Sequence, residues 1–192
     1  MAGDTRAWAR VRFEGTELVG DESLHLSQNA VDLAIEEAKI SFVQNWGSVD
    51  SIVVRCGDGS RSQPVFAKIT VAEGLHGDRW VEGKAVPGHQ LSMMNLDVAS
   101  AIANGQSIAL FGDNIFTRLD LSEACLPVGT RLRLGQVLVR VSEVPHVPCD
   151  RFRSRFGAAA FETTAKTPRL RGVYLTVIEG GEVALGDAVV RA

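Results

Sequence analysis

The run Val137-Leu138-Val139-Arg140-Val141-Ser142-Glu143-Val144-Pro145-His146-Val147-Pro148-Cys149 decides how this chain is read. Its valine-rich first part predicts a strand over 136–144. Pro145 and Pro148 each lack a backbone N–H and push the preceding residue toward extended geometry, so the strand stops there and Cys149 sits in the loop beyond its end. Arg151, Arg153 and Arg155 follow at two, four and six positions, and His146 precedes by three. A thiolate at Cys149 therefore meets positive charge that stabilises it. Two readings stand side by side: a reactive thiol suited to nucleophilic or metal-ligand chemistry, or a small buried hydrophobe, the commonest fate of a free cysteine. No partner residue at a diagnostic spacing chooses between them.

Outward from this run the same texture continues. Short stretches rich in valine, isoleucine and leucine, broken by glycine and proline, predict strands over 51–55, 65–71, 90–94, 131–134, 172–178 and 187–191. Cys56-Gly57-Asp58-Gly59-Ser60 reads as a hairpin turn with Asp58-Gly59 at its tip. The corners Gly77-Asp78, Gly112-Asp113 and Gly186-Asp187 read as turns. A helix is expected over 28–46, where Val31, Ile35, Ala38 and Phe42 recur at helical intervals behind Ser27 or Asn29 as cap, with Phe42 and Trp46 as core anchors. Two shorter helices are expected over 96–103, capped by Asn95, and over 155–164, halted before Pro168. The sum is a mixed, mainly β chain, barrel-like, with a few short helices. It divides into a helical N-terminal extension, 1–47, packed on a strand-rich domain, 48–192. Regular strand–helix alternation and glycine-rich phosphate fingerprints are missing, which argues against a dinucleotide or phosphate-loop enzyme.

With 192 residues and 45% hydrophobic content, the chain can bury the core of one main domain. No stretch approaches a membrane span of roughly 20 apolar residues, and residues 1–6 lack a leader pattern, so a soluble, cytoplasmic protein is expected. A net charge of -3 with scattered basic residues gives no nucleic-acid footprint. Cys56, Cys125 and Cys149, odd in number and far apart, fit reduced thiols rather than a disulfide framework. His25, His76, His89 and His146 never fall at the spacing of a helical zinc site.

Taken in order, Gly74-Leu75-His76-Gly77-Asp78-Arg79, Gly88-His89-Gln90-Leu91, Gly112-Asp113-Asn114-Ile115, Leu126-Pro127-Val128-Gly129, Pro148-Cys149 with Arg151, Arg171-Gly172-Val173-Tyr174 and Gly186-Asp187-Ala188-Val189 resemble the MOSC domain family. This is the domain found at the C-terminus of molybdenum cofactor sulfurases. The resemblance runs over about 50–191 and implies a β-barrel with one reactive cysteine, here Cys149. It implies binding of the molybdenum cofactor, sulfur transfer, or reduction of N-hydroxylated compounds. Cys149 would be the catalytic residue and the metal ligand, a soft thiolate for a soft metal or sulfane sulfur. Arg79, Gln90, Asp113, Asn114, Arg151, Arg153 and Arg171 would hold the cofactor, the arginines offering planar forks to phosphate or pterin and Asp113 and Asn114 shaping the pocket. His89 stands where many members have arginine, which removes an anion contact.

The partners the resemblance implies are a small-molecule substrate or molybdopterin, with a cysteine desulfurase or a separate redox protein, because the chain has no flavin or iron–sulfur motif of its own. Pyridoxal phosphate would enter only through such a partner sulfurase. A competing reading is a binding or adaptor module that keeps the barrel while Cys149 is merely buried.

Overall fold

The computed structural model describes residues 11–13, 19–83 and 86–192. Residues 1–6, read above for a leader, lie outside them. Among the described residues the strands are short: β1 Val11–Phe13, β2 Trp46–Ser48, β3 Ser51–Ile52, β4 Val54–Arg55, β5 Arg61–Gln63, β6 Phe66–Thr70 and β7 Gly74–Leu75, then β8 Leu91–Asn95, β9 Ile115–Thr117, β10 Arg131–Leu134, β11 Val137–Val141, β12 Val173–Glu179, β13 Gly181–Ala184 and β14 Ala188–Arg191. Three α-helices interleave with them, α1 Gln28–Lys39, α2 Leu96–Ala103 and α3 Asp150–Lys166.

Eight strands form one curled sheet in the order β2-β14-β10-β11-β12-β8-β9-β3, flanked by two three-stranded sheets, β1-β5-β4 and β13-β6-β7. Within that sheet β8 and β9 pair in parallel, and the other ladders described are antiparallel. The fold is mainly β and barrel-like, as the sequence implies.

Alternation with period two explains the inside of the curl. Leu132 and Leu134 of β10, Val137, Val139 and Val141 of β11, and Val173, Leu175 and Val177 of β12 point into one apolar core with Leu91, Met93 and Val189. Each such side chain contributes about 1.5–3 kcal/mol through burial. A second core lies between the sheet and the helices, where Met94 and Phe116 meet Val98 and Ile102 of α2, Phe152 and Phe156 of α3, and Val31 and Ile35 of α1. No helix among the described residues is long and apolar enough to cross a membrane.

Several expected boundaries shift, each for a local reason. The first helix ends at Lys39 rather than 46, because Val43 leaves the helix to exchange backbone hydrogen bonds with Arg118 and Asp120. Trp46 is consequently on β2 and 61% exposed, not a core anchor. Ser27 is the cap, its hydroxyl accepting from the Ala30 N–H. The strand expected over 136–144 closes at Val141, since the Ser142 hydroxyl accepts from the Val144 N–H and bends the chain. The strand over 51–55 splits at Val53, whose N–H turns to the Asn114 carbonyl. The turn at 56–60 forms as expected, with the Gly59 N–H on the Cys56 carbonyl and the Cys56 N–H on the Ser60 carbonyl.

The largest change falls on the helix expected over 155–164, which begins at Asp150 and ends at Lys166. Cys149 is its N-cap, in extended conformation. The helix is interrupted at Gly157, whose φ of 88° lies in the region that favours glycine and whose missing side chain admits the His25 ring.

Candidate functional site

Cys149 stands where the β11 loop enters α3, and it is exposed. The burial that an inert thiol requires is therefore absent. Its carbonyl accepts from the Arg153 N–H at 3.0 Å, closing the first helical turn, while its side chain makes no capping bond. Its charge, when ionised, is felt by Arg155 and Tyr174.

Around it the arginines crowd one another. Burial, then Arg79, Arg155 and Arg55, push Arg61 down to about 10. Burial, Arg55 and Arg151 lower Arg79 in the same way. Arg155 is lowered by burial, Arg151 and Arg79, and an ionised Cys149 would offset part of that repulsion. Five guanidinium groups, Arg55, Arg61, Arg79, Arg151 and Arg155, thus share one field. Asp78 lies within it and is itself engaged: it takes a bidentate grip from Arg55, with Nη2 to Oδ1 at 2.7 Å and Nε to Oδ2 at 2.9 Å. Burial pushes the Asp78 carboxyl up, but the Arg55 bonds outweigh it and hold the group below the usual carboxylate range.

Arg61 is the telling member. It is buried, its Nη1 donates to the Gly59 and Ser60 carbonyls, and its Nε has no partner among the described residues. A buried guanidinium N–H without a partner among the described residues, next to other cations, is a donor that an anion would satisfy. Gly112 stands against it: a Cβ there would lie 3.7 Å from Arg61 Nη2.

Behind the thiol lies a dry polar wall. Asp113, fully buried, receives Arg171 Nη1 on Oδ2 and faces His146 Nδ1 with Oδ1 at 3.6 Å. Arg171 also donates to the Phe111 carbonyl at 3.3 Å and lies over the Phe111 and Phe152 rings. Burial drives the Asp113 carboxyl upward and Arg171 offsets only part of it. Burial, Arg171, Arg55 and His89 push His146 well below its ordinary 6.5. Tyr174 lies between two imidazoles, His89 at 4.2 Å and His146 at 4.1 Å. Gly172 makes the wall possible, since a Cβ at its φ of 98° would meet the Met93 carbonyl oxygen at 2.2 Å.

The expected site residues separate into groups. Cys149, Arg79 and Arg151 share the cationic field. Arg171 and Asp113 are bound to each other inside the wall. Asn114 is buried, with Nδ2 on the Val53 carbonyl and Asp78 and Oδ1 accepting from the Ser92 N–H. Gln90 stitches strands together, Nε2 on the Val71 carbonyl at 2.6 Å and Oε1 on the Val177 N–H at 2.8 Å. Arg153 is exposed and lies over Phe161 of its own helix, 5.7 Å from the ring centroid. Sequence reasoning missed Arg55, Arg61 and Tyr174; the two arginines bracket the 56–60 hairpin, and that symmetry was the available signal. No group of three or more His, Cys, Asp or Glu side chains converges among the described residues.

Comparison with known proteins places the chain in a family and a fold. The MOSC domain family model matches residues 85–190. Among solved structures the chain is similar to YiiM from Escherichia coli, at 21% identity over 78% of this chain and 70% of that one, with a TM-score of 0.54. It is also similar to the YUAD protein from Bacillus subtilis, at 17% identity over 75% and 94%, with a TM-score of 0.57. YiiM from Geobacillus stearothermophilus follows at 17% identity over 76% and 75%, with a TM-score of 0.50. At these identities the likeness speaks to fold alone. No curated protein is similar enough to count as a match.

Proposed function

The chain belongs to the MOSC domain family, and from that premise we propose that it binds the molybdenum cofactor through Cys149 and acts on N-hydroxylated small molecules. The observation that carries this reading is an exposed thiol within electrostatic reach of Arg155, in a cluster where Arg61, Arg79 and Arg155 are each lowered by neighbouring arginines and where the buried Arg61 has an Nε without a partner among the described residues.

The residues present suit that cofactor on two counts. Its phosphate is a dianion, and Arg61, Arg79, Arg151 and Arg155 form a field that such a charge would relieve. Its metal takes soft sulfur ligands, and Cys149 offers one at the surface. When bound, the cofactor supplies a metal that exchanges two electrons and accepts an oxygen atom. The chain does the rest. Arg61 and Arg79 would hold the anionic end, Cys149 would hold the metal, and the His89–Tyr174 stack would offer flat, half-buried rings to one side. Electrons come from a separate redox protein.

The exposure of Cys149 also favours a second reading, in which the thiol carries sulfur as a persulfide received from a partner cysteine desulfurase. Pyridoxal phosphate would then belong to that partner.

The test is alkylation of Cys149 in cofactor-loaded protein, followed by reduction of a hydroxylamine substrate with a reduced viologen as electron source. Loss of turnover in step with Cys149 modification is expected. Full turnover by fully alkylated protein contradicts the reading.

A further inference from the structure

Three buried polar atoms without a hydrogen-bond partner among the described residues belong to one knot: Asp113 Oδ1, His146 Nδ1 and Arg171 Nε. The first two face each other at 3.6 Å, with side chains only 1% and 5% exposed. That gap is too long for a hydrogen bond, yet a shift of about half an ångström would close it. Complementary groups left apart in a dry place cost free energy, so this contact is one the structure gains by completing.

The knot also brackets the thiol. His146 precedes Cys149 by three residues, between Pro145 and Pro148, and Phe152 follows it by three. Asp113 reaches toward the imidazole of the first, and the guanidinium of Arg171 lies 5.3 Å from the ring centroid of the second. One buried ion pair therefore touches the chain on both sides of the sulfur. The loop has room to respond: a cleft of about 320 Å³ runs along it, lined by Ser142, Val144, Pro145, His146 and Val147. The groups facing the imidazole are Asp113, Arg171, Arg55, His89 and Tyr174.

Resting on the reading of Cys149 as the working thiol, we propose that Asp113, Arg171 and His146 are positioning residues for it, with the Asp113–His146 contact as the adjustable link. Asp113 and Arg171 then act on the site without gripping its ligand. His146 donates from Nδ1 to Asp113 Oδ1, and the closed link draws the 145–149 loop against the wall and sets where the sulfur sits relative to Arg151 and Arg155.

The test uses the metal-free full chain, with the alkylation rate of Cys149 by iodoacetamide at neutral pH read from the mass of its peptide. His146→Phe keeps a ring on Tyr174 but loses the donor, whereas His146→Gln keeps a donor. The expected result is a rate change of about tenfold in H146F and a rate within about twofold of wild type in H146Q, the size of one contact to a charged group. An unchanged rate in H146F, or equal changes in both variants, overturns the proposal. Nitrogen-15 spectra of the wild-type ring give a second readout that does not depend on a variant folding: a proton on Nδ1 protected from exchange is expected, and a bare Nδ1 overturns it. Because no metal is involved, absence of molybdenum from the protein would count against the cofactor reading and leave this result standing.

Discussion

The inside of the curled sheet and the wall behind Cys149 are equally dry, and they are built by opposite rules. Inside, Leu91, Leu132, Leu134, Val139, Leu175 and Val189 are sealed and carry no polar side-chain atoms. In the wall and the arginine cluster beside it, Asp113, Asn114, Arg171 and Arg61 are buried as well, and three of the four side chains leave an atom without a partner among the described residues. Each such atom costs about 1–3 kcal/mol. The first region stabilises the fold and the second draws on that stability to hold charge where the thiol is. The lesson is that the wall cannot be explained as packing.

The largest expected effect breaks the wall at its ion pair. Asp113→Leu strands the Arg171 guanidinium in an apolar place and should cost about 3–5 kcal/mol in urea unfolding. Adding Arg171→Met should recover most of that loss while leaving Cys149 chemistry impaired, because a buried pair is often replaceable for stability. If the double variant is no more stable than the single one, the two residues are not a unit. In the core, Leu134→Ala should cost about 3 kcal/mol by transfer and cavity terms and leave the iodoacetamide rate at Cys149 unchanged in folded protein. A change in that rate would blur the distinction between the regions.

Much of this was legible in the sequence and some could not be. The strands over 131–134, 172–178 and 187–191 announce themselves by valine and leucine runs with glycine close to one end or both, and they appear within a residue of expectation. Strands β2, β5, β7 and β9, two or three residues each, are too short for a period to show. Phe42 continued the helical spacing of α1, but the long-range bonds of Val43 to Arg118 and Asp120 prevailed. Cys149 stood out through its prolines and following arginines. Arg55 and Arg61 did not, because only the fold brings that hairpin to a loop some ninety residues away in the chain.

A smaller effect separates the regions by pH. His146 is held neutral in the folded chain well below 6.5, so the unfolded chain takes up a proton first as acid is added. Stability is then lost as pH falls below 6.5, by on the order of 1 kcal/mol per pH unit. Asp113 works in the opposite sense, because its raised folded value eases its burial as acid protonates it. The difference between wild type and His146→Gln isolates the imidazole: the variant should show a flatter profile between neutral pH and 5, by thermal unfolding, roughly as that linkage requires. Smallest of all, Val147→Ala, at a 61% exposed position in the same loop, should alter stability by less than about 0.5 kcal/mol. A larger loss would mean the loop itself is packed rather than held through its histidine.

The most direct measurement is molybdenum per chain in protein made by cells that synthesise the cofactor, for wild type against Cys149→Ser. A thiol that holds the metal should give about one molybdenum per wild-type chain and almost none in the variant, since serine offers no soft ligand. Equal loading of the two, or none in either, contradicts the account.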